Sequence, residues 1–363
     1  MKKCIILLFS FFFTIIQGFA FETGFLPAQL GVVENVEFID INDDTTQVKQ
    51  LVDIKLLQGE NKNKLVQVDN MLSGNPYYDI PLKKGKKVLL HLEENEGEIT
   101  YSIQDVYRSN SLYVLSIIFC LLLIYVGKKK GLYSLLAIVL TCILIVKLLS
   151  PMILIGMNPV FSTLIICLLS TMITMYFVGG FNKKSTSAVL GSTLSLIIAS
   201  FLSVLTVKFA TLTGYSNEYS LFLSAAKPQL DFKSLAVATM ILATLGAVMD
   251  VAMSIASTIN EIYCVDNTKT VKELFTCGMN VGRDIIGTMA NTLILVYMGA
   301  SLPLLLLLSN IDLQKFINLN QVVTEIAAAL IGSSAIIICV PVTAIVASHL
   351  VKKTFIHKEE LHF

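Results

Sequence analysis

From Ser111 onward the chain is dominated by long apolar segments, and this constrains its fold more than any other feature. A helix needs about 20 predominantly apolar residues to cross a bilayer, because a 1.5 Å rise per residue must cover roughly 30 Å of hydrocarbon. Seven segments approach that length: residues 111–127, 131–149, 158–179, 187–208, 233–257, 286–309 and 322–350. Composition agrees, with 55% hydrophobic and 15% charged residues, against roughly 25% charged in ordinary globular chains. The expected fold class is therefore an α-helical polytopic membrane protein of about seven transmembrane helices, in contact with the lipid bilayer. The net charge of +1 comes without a basic patch away from the membrane loops, so no nucleic-acid partner is expected.

The lysines test that count. Lys128, Lys129 and Lys130 follow the first segment, Lys183 and Lys184 the third, Lys269, Lys272 and Arg283 the fifth, and Lys352, Lys353 and Lys358 the seventh. The alternate loops hold chiefly Lys227 and Lys315. Because positive loops stay on the cytoplasmic side, odd helices run inward, the C-terminus is cytoplasmic and the segment before the first helix lies outside.

The N-terminus fits this polarity. Two lysines precede the apolar run "CIILLFSFFFTIIQ" and the small residues "GFA". This is the layout of a secretory signal peptide over residues 1–20, cleaved after Ala20; an uncleaved anchor helix is the alternative. Residues 21–108 follow as the polar part, with short alternating runs at Val32–Ile39, Leu51–Leu57, Lys64–Asp69, Lys87–Glu93 and Glu98–Gln104. Period-2 alternation predicts half-buried strands. Gly59, Gly74, Lys84-Gly85 and Gly97 mark turns between them. Five strands predict a small extracytoplasmic all-β domain, an OB-like barrel or another small sandwich. Such barrels can bind nucleic acid, but that takes aromatics stacked over a basic groove; aromatics are few here and the domain is exported. The expected organisation is thus 1–20 signal peptide, 21–108 β domain, 109–351 helical domain and 352–363 cytoplasmic tail.

Two helices carry polar groups inside their apolar runs. In the fifth, Gly246, Asp250, Ser254, Ser257 and Glu261 step by four and three residues, which sets them on one helical stripe. An acid deep in such a helix costs about 2.5–3.5 kcal/mol on insertion scales, so it is expected to face protein or water. The sixth begins "GMNVGRDIIGTMAN". Gly278 and Gly282 are spaced for close helix contact, with Gly287 further along the same helix. Arg283, Gly287 and Asn291 share one face, and Asp284, Thr288 and Asn291 an adjoining one. Two readings stand: the stripes line a path for a solute or ion, or they hold the two helices together, with Arg283 and Glu261 as an ion pair.

The residues argue against an enzyme. Asp250 and Asp284 could form an aspartyl dyad, but Val281-Gly282-Arg283 before Asp284 does not match the Gly-x-Gly-Asp of intramembrane aspartyl proteases. A serine-nucleophile elbow and an HExxH helix are absent. The four histidines are scattered and the cysteines lack a CxxC pair, so neither a metal nor any other cofactor is expected. No cysteine falls between Ala20 and Tyr107, which leaves the exported part without a disulfide framework.

"GAVMDVAMSIAS" and "GRDIIGTMANTLILVYMGASLPLLLL", after a signal peptide and an exported β domain, resemble the YibE/F family of bacterial membrane proteins. The resemblance covers most of the chain and is most specific over Gly246–Glu261 and Gly282–Leu307. It implies a multi-pass protein of the bacterial plasma membrane and supplies no substrate. The leading functional expectation is a transporter or permease component for a small solute or ion. The alternative is a non-transporting scaffold or sensor whose β domain binds a partner. A protein partner would be a second copy of the chain or another membrane protein.

Overall fold

The structure is a computed structural model that describes residues 28–40, 48–59, 61–95 and 98–359. The expected signal peptide lies outside the described residues. The chain divides into two compact units between Leu123 and Ile124.

The first unit holds five strands: β1 (Gln29–Asp40), β2 (Val48–Leu56), β3 (Leu65–Leu72), β4 (Lys87–Asn95) and β5 (Glu98–Val106). All five follow the alternating runs. On β2 the inward positions Gln50, Val52, Ile54 and Leu56 are buried at period two. The order is β3-β2-β1-β4-β5, every pairing is antiparallel, and β5 comes round against β3. The sheet is therefore a nearly closed barrel, as expected. Val33, Val52, Ile54, Leu56, Val88 and Leu90 fill it. Gly85 takes φ 85° in the turn before β4, a conformation that favours glycine, and its N–H donates to Val33 O at 2.8 Å.

The helices are α1 (Ser109–Ile143), a π-helical turn (Leu144–Leu149), α2 (Ser150–Leu154), α3 (Pro159–Gly179), α4 (Lys183–Phe209), α5 (Glu218–Ala226), α6 (Phe232–Val265), α7 (Val271–Ala300), α8 (Leu302–Leu306), α9 (Leu313–Ile317) and α10 (Asn320–Glu359). Five stretches among the described residues are long and apolar enough to cross a membrane. A sixth is added if α7 and the segment Leu302–Ser309, bent by 71°, count together.

Seven were expected, and the difference lies at Lys128. The first two expected segments lie within the apolar stretch Ser109–Leu154, as two helices that meet at a kink at Lys128 (φ 50°, ψ −126°) and that count there as a single stretch. Two boundaries also move. α6 continues to Val265, where the backbone N–H of Asp266 donates to Ile262 O, and α7 starts at Val271, capped by the Thr270 side chain; both ends lie beyond the apolar runs. Pro303 falls at the start of α8, where the missing N–H costs nothing, and the bend sits just before it.

The core is built from α3, α4, α6, α7 and α10, with α10 against α4, α6 and α7. Small residues let these helices approach closely. A Cβ at Gly191 of α4 would overlap Thr343 of α10. Buried hydroxyls turn back onto their own helix: Ser195 Oγ donates to Gly191 O and Ser203 Oγ to Ala199 O, each at 2.8 Å.

Candidate functional site

α6 and α7 form an antiparallel hairpin with firm ends. Asp231 caps α6, its Oδ1 accepting from the N–H of Lys233 (3.1 Å) and Ser234 (3.2 Å). The Ser234 hydroxyl, the largest cause, and these amides hold the Asp231 carboxyl below the usual carboxylate range. A reciprocal cap opens α7: Thr270 Oγ1 accepts from Glu273 N (3.2 Å) and Glu273 Oε2 from Thr270 N (2.7 Å). Between the helices the Asp266 carboxyl is likewise lowered, chiefly by the Thr268 hydroxyl at 2.6 Å.

The hairpin turns its apolar side to the bundle. Val248, Ala252, Ile255, Ala256 and Ile259 of α6 are fully buried. Gly278 and Gly282 of α7 are buried against them: a Cβ at 278 would come 2.6 Å from Ile259 Cδ1, and one at 282 would come 3.2 Å from Ile255 Cδ1.

The polar stripes lie on the opposite side. Gly246, Asp250, Ser254 and Glu261 are exposed, and Ser257 is half-buried. Arg283, Asp284, Gly287, Thr288 and Asn291 are all exposed on α7. Cβ atoms at Gly246 and Gly287 would meet nothing within 4 Å. Ser254 Oγ donates to Asp250 O (2.8 Å), Thr288 Oγ1 to Ile285 O (3.1 Å) and Arg283 Nη1 to Asn280 Oδ1 (2.9 Å). Among the described residues Arg283 makes no ion pair with Glu261. The structure thus brings the two stripes side by side on one outward surface of the bundle.

A second feature was not read from the sequence. At the end of the bundle where α6 begins and α7 ends, the chain leaving α4 is tied to α10: Asn320 Oδ1 accepts from Thr213 N (3.1 Å) and Asn320 Nδ2 donates to Tyr215 O (2.9 Å). A cavity of about 380 Å³ opens there between α5, α6, α7 and α10. Its polar lining includes Asn217, Ser220, Thr239, Tyr297, Thr324 and Glu325. An apolar cavity of about 300 Å³, lined by Ile294, Leu304, Phe316 and Ile326, adjoins α8. Tyr297 and Glu325 line both, so a phenol and a carboxylate stand in the wall between them. The bend between α7 and α8 is at Ser301, which also lines the apolar cavity. Glu325 lies inside the expected segment 322–350, and an acid within an apolar run was the available signal. No group of three His, Cys, Asp or Glu side chains among the described residues is placed to hold a metal ion.

A barrel of five strands followed by a polytopic apolar helical bundle defines a membrane-protein class. Two family models match the chain and divide it along the same line. One, described as YibE/F-like protein, matches residues 115–353. The other, described as YibE/F family N-terminal domain, matches residues 29–106. The chain belongs to the YibE/F family. Comparison with curated proteins gives no match, and neither does comparison with solved structures.

Proposed function

We propose that this YibE/F-family protein is a transporter or permease component for a small solute or ion. The observation that carries the reading is the broken α7–α8 span beside two cavities that share Glu325 and Tyr297. Membrane transporters commonly place substrate or coupling-ion sites where a helix is interrupted, because free backbone groups and side chains converge there. A carboxylate in that wall suits a cation or a proton. The test is flux into proteoliposomes holding the full chain, with a panel of inorganic cations and a pH gradient as probes. Wild type is expected to carry at least one of them, and Glu325→Gln to lose that flux while inserting normally. No flux above empty liposomes, or flux unchanged in both Glu325→Gln and Asp250→Asn, would sink the reading.

The topology that goes with it has seven crossings. Ser109–Leu154 is 46 residues long, about twice what one bilayer crossing needs. A turn at Lys128 makes two spans of it and puts Lys128–Lys130 on the cytoplasmic side. The β domain then stands outside the plasma membrane behind a signal peptide, with the C-terminus inside. Alkylation of single cysteines placed at residues 83 and 129 in intact cells checks this, with only the first expected to react with an impermeant reagent.

A second reading has its own observation. Phe38, Met71, Tyr77 and Tyr78 of the β domain are exposed at 67%, 57%, 68% and 66%. A sensor or scaffold would use such a surface to bind a partner. Photo-crosslinkers at positions 38 and 71 of the full chain test it; the absence of any adduct would count against that role.

A further inference from the structure

We propose that the outward polar face of α6 and α7 is the contact surface for a second copy of this chain, in a two-fold dimer whose axis runs along the membrane normal. The bundle side of these helices is lined by Val248, Ala252, Ile255 and Ile259 of α6 and by Gly278 and Gly282 of α7, whereas the opposite side carries Asp250, Arg283, Asp284 and Asn291, all exposed. Exposed to lipid, these groups would be heavily penalised, so protein or water must cover them. The register of the hairpin says which. Gly278 is level with Ile259 and Gly282 with Ile255. The same antiparallel register, carried along the pair, sets Arg283 level with Ser254, Gly287 level with Asp250, and Asn291 level with Gly246. At each level one helix presents a large polar side chain and the other a small residue. Both glycines have open space above them.

A two-fold axis parallel to the helices keeps every residue at its own depth and puts α6 of one copy across from α7 of the other. Each Asp250 then meets the space over the partner copy's glycine at 287, one turn from the arginine at 283. Each Asn291 meets the space over the glycine at 246. Charge adds one contact: Asp250 of each copy comes within a turn of Arg283 of the other, while α6 also carries Glu261 and α7 also carries Asp284 on this face. The open spaces over Gly246 and Gly287 and the two Asp250–Arg283 contacts make the face fit a second copy of itself level by level, which favours that occupant over an unrelated partner.

The test uses two tagged full-length chains co-expressed and counted in lipid nanodiscs. Wild-type chains are expected to co-purify as dimers. Asp250→Arg alone, and Arg283→Asp alone, should each cut self-pairing at least tenfold, since like charges then face each other twice. Co-expressing the Asp250→Arg chain with the Arg283→Asp chain should restore dimers, because both contacts become opposite pairs again. A second measurement avoids charge changes: in a background lacking native cysteines, a Gly246→Cys chain should form a disulfide with an Asn291→Cys chain, and a Leu194→Cys pair on the apolar face of α4 should not. Wild-type monomers in lipid, equal pairing by every combination of inserted variants, or stoichiometric recovery of a different protein on this face would overturn the proposal.

Discussion

Gly282 of α7 and Val340 of α10 approach so closely that a Cβ at position 282 would overlap the Val340 side chain. The same Cβ would press on Ile255 of α6, so three helices meet at one glycine. Gly282→Val should therefore destabilise the bundle by about 1–3 kcal/mol through overpacking. The measurement is thermal unfolding of the detergent-solubilised full chain. Gly299→Ala serves as the control: nothing lies within 4 Å of a Cβ there, and alanine is the better helix former. Equal unfolding temperatures for the two variants would show that the three-helix contact carries no weight.

In the β domain, Gln50 is 1% exposed and bonds to Asn70, its pair on the adjacent strand, and to Leu82 of the β3–β4 connection. Its Oε1 accepts from Leu82 N (3.1 Å) and Asn70 Nδ2 (2.9 Å). With Asn70, whose Nδ2 also donates to Ile80 O (2.8 Å), Gln50 ties down the long connection between β3 and β4. Gln50→Leu leaves the Leu82 N–H buried without its acceptor, a loss of about 1–3 kcal/mol. Hydrogen exchange in the full chain should speed up over residues 73–86 while β1 and β4 stay protected.

That connection also has a pH limit. Asp79 Oδ1 accepts from the Ser73 amide (2.6 Å) and hydroxyl (2.9 Å). These bonds, the amide first, hold the carboxyl below its ordinary 3.8. A depressed folded value means the stabilisation is complete above about 3.8 and is lost as pH falls through the lowered value. Pepsin cleavage at the exposed Tyr77–Tyr78 pair should rise between pH 4 and pH 2 faster than on an unstructured control peptide. Asp79→Asn should remove that rise; if the steepening persists in the variant, another group is responsible.

The sequence was most legible where one rule decides. Alternation located all five strands because β2 and its neighbours bury one face only. Four-residue stepping groups Asp250 with Gly246, Ser254, Ser257 and Glu261, but periodicity says which residues share a face and not what the face meets. The stripes were expected to face protein or water; within one copy of the chain they lie on the outer side of the bundle, with Ala252, Ile255 and Ile259 on the buried side. Glu325 escaped notice because one acid barely lowers the hydropathy of residues 322–350. The end of the first apolar segment was legible in the charges at Lys128–Lys130, and the backbone leaves helical geometry at Lys128.

The start of α7 gives a last prediction, on a boundary that hydropathy does not locate: the apolar segment begins at 286, the helix at Val271. Thr270 and Glu273 cap each other, and the buried Leu274 follows one residue later. Thr270→Ala removes the acceptor for Glu273 N and should cost about 1 kcal/mol. Glu273→Ala removes the acceptor for Thr270 N and should cost a similar amount. Because the two side chains also bond each other at 2.8 Å, the double variant should cost less than the two singles together. Thermal unfolding of the four proteins completes the cycle. Hydrogen exchange should localise the fraying to the first turn, leaving the amides around Gly282 protected. Additive costs would mean that the two caps act independently and that the reciprocal arrangement does not set where α7 begins.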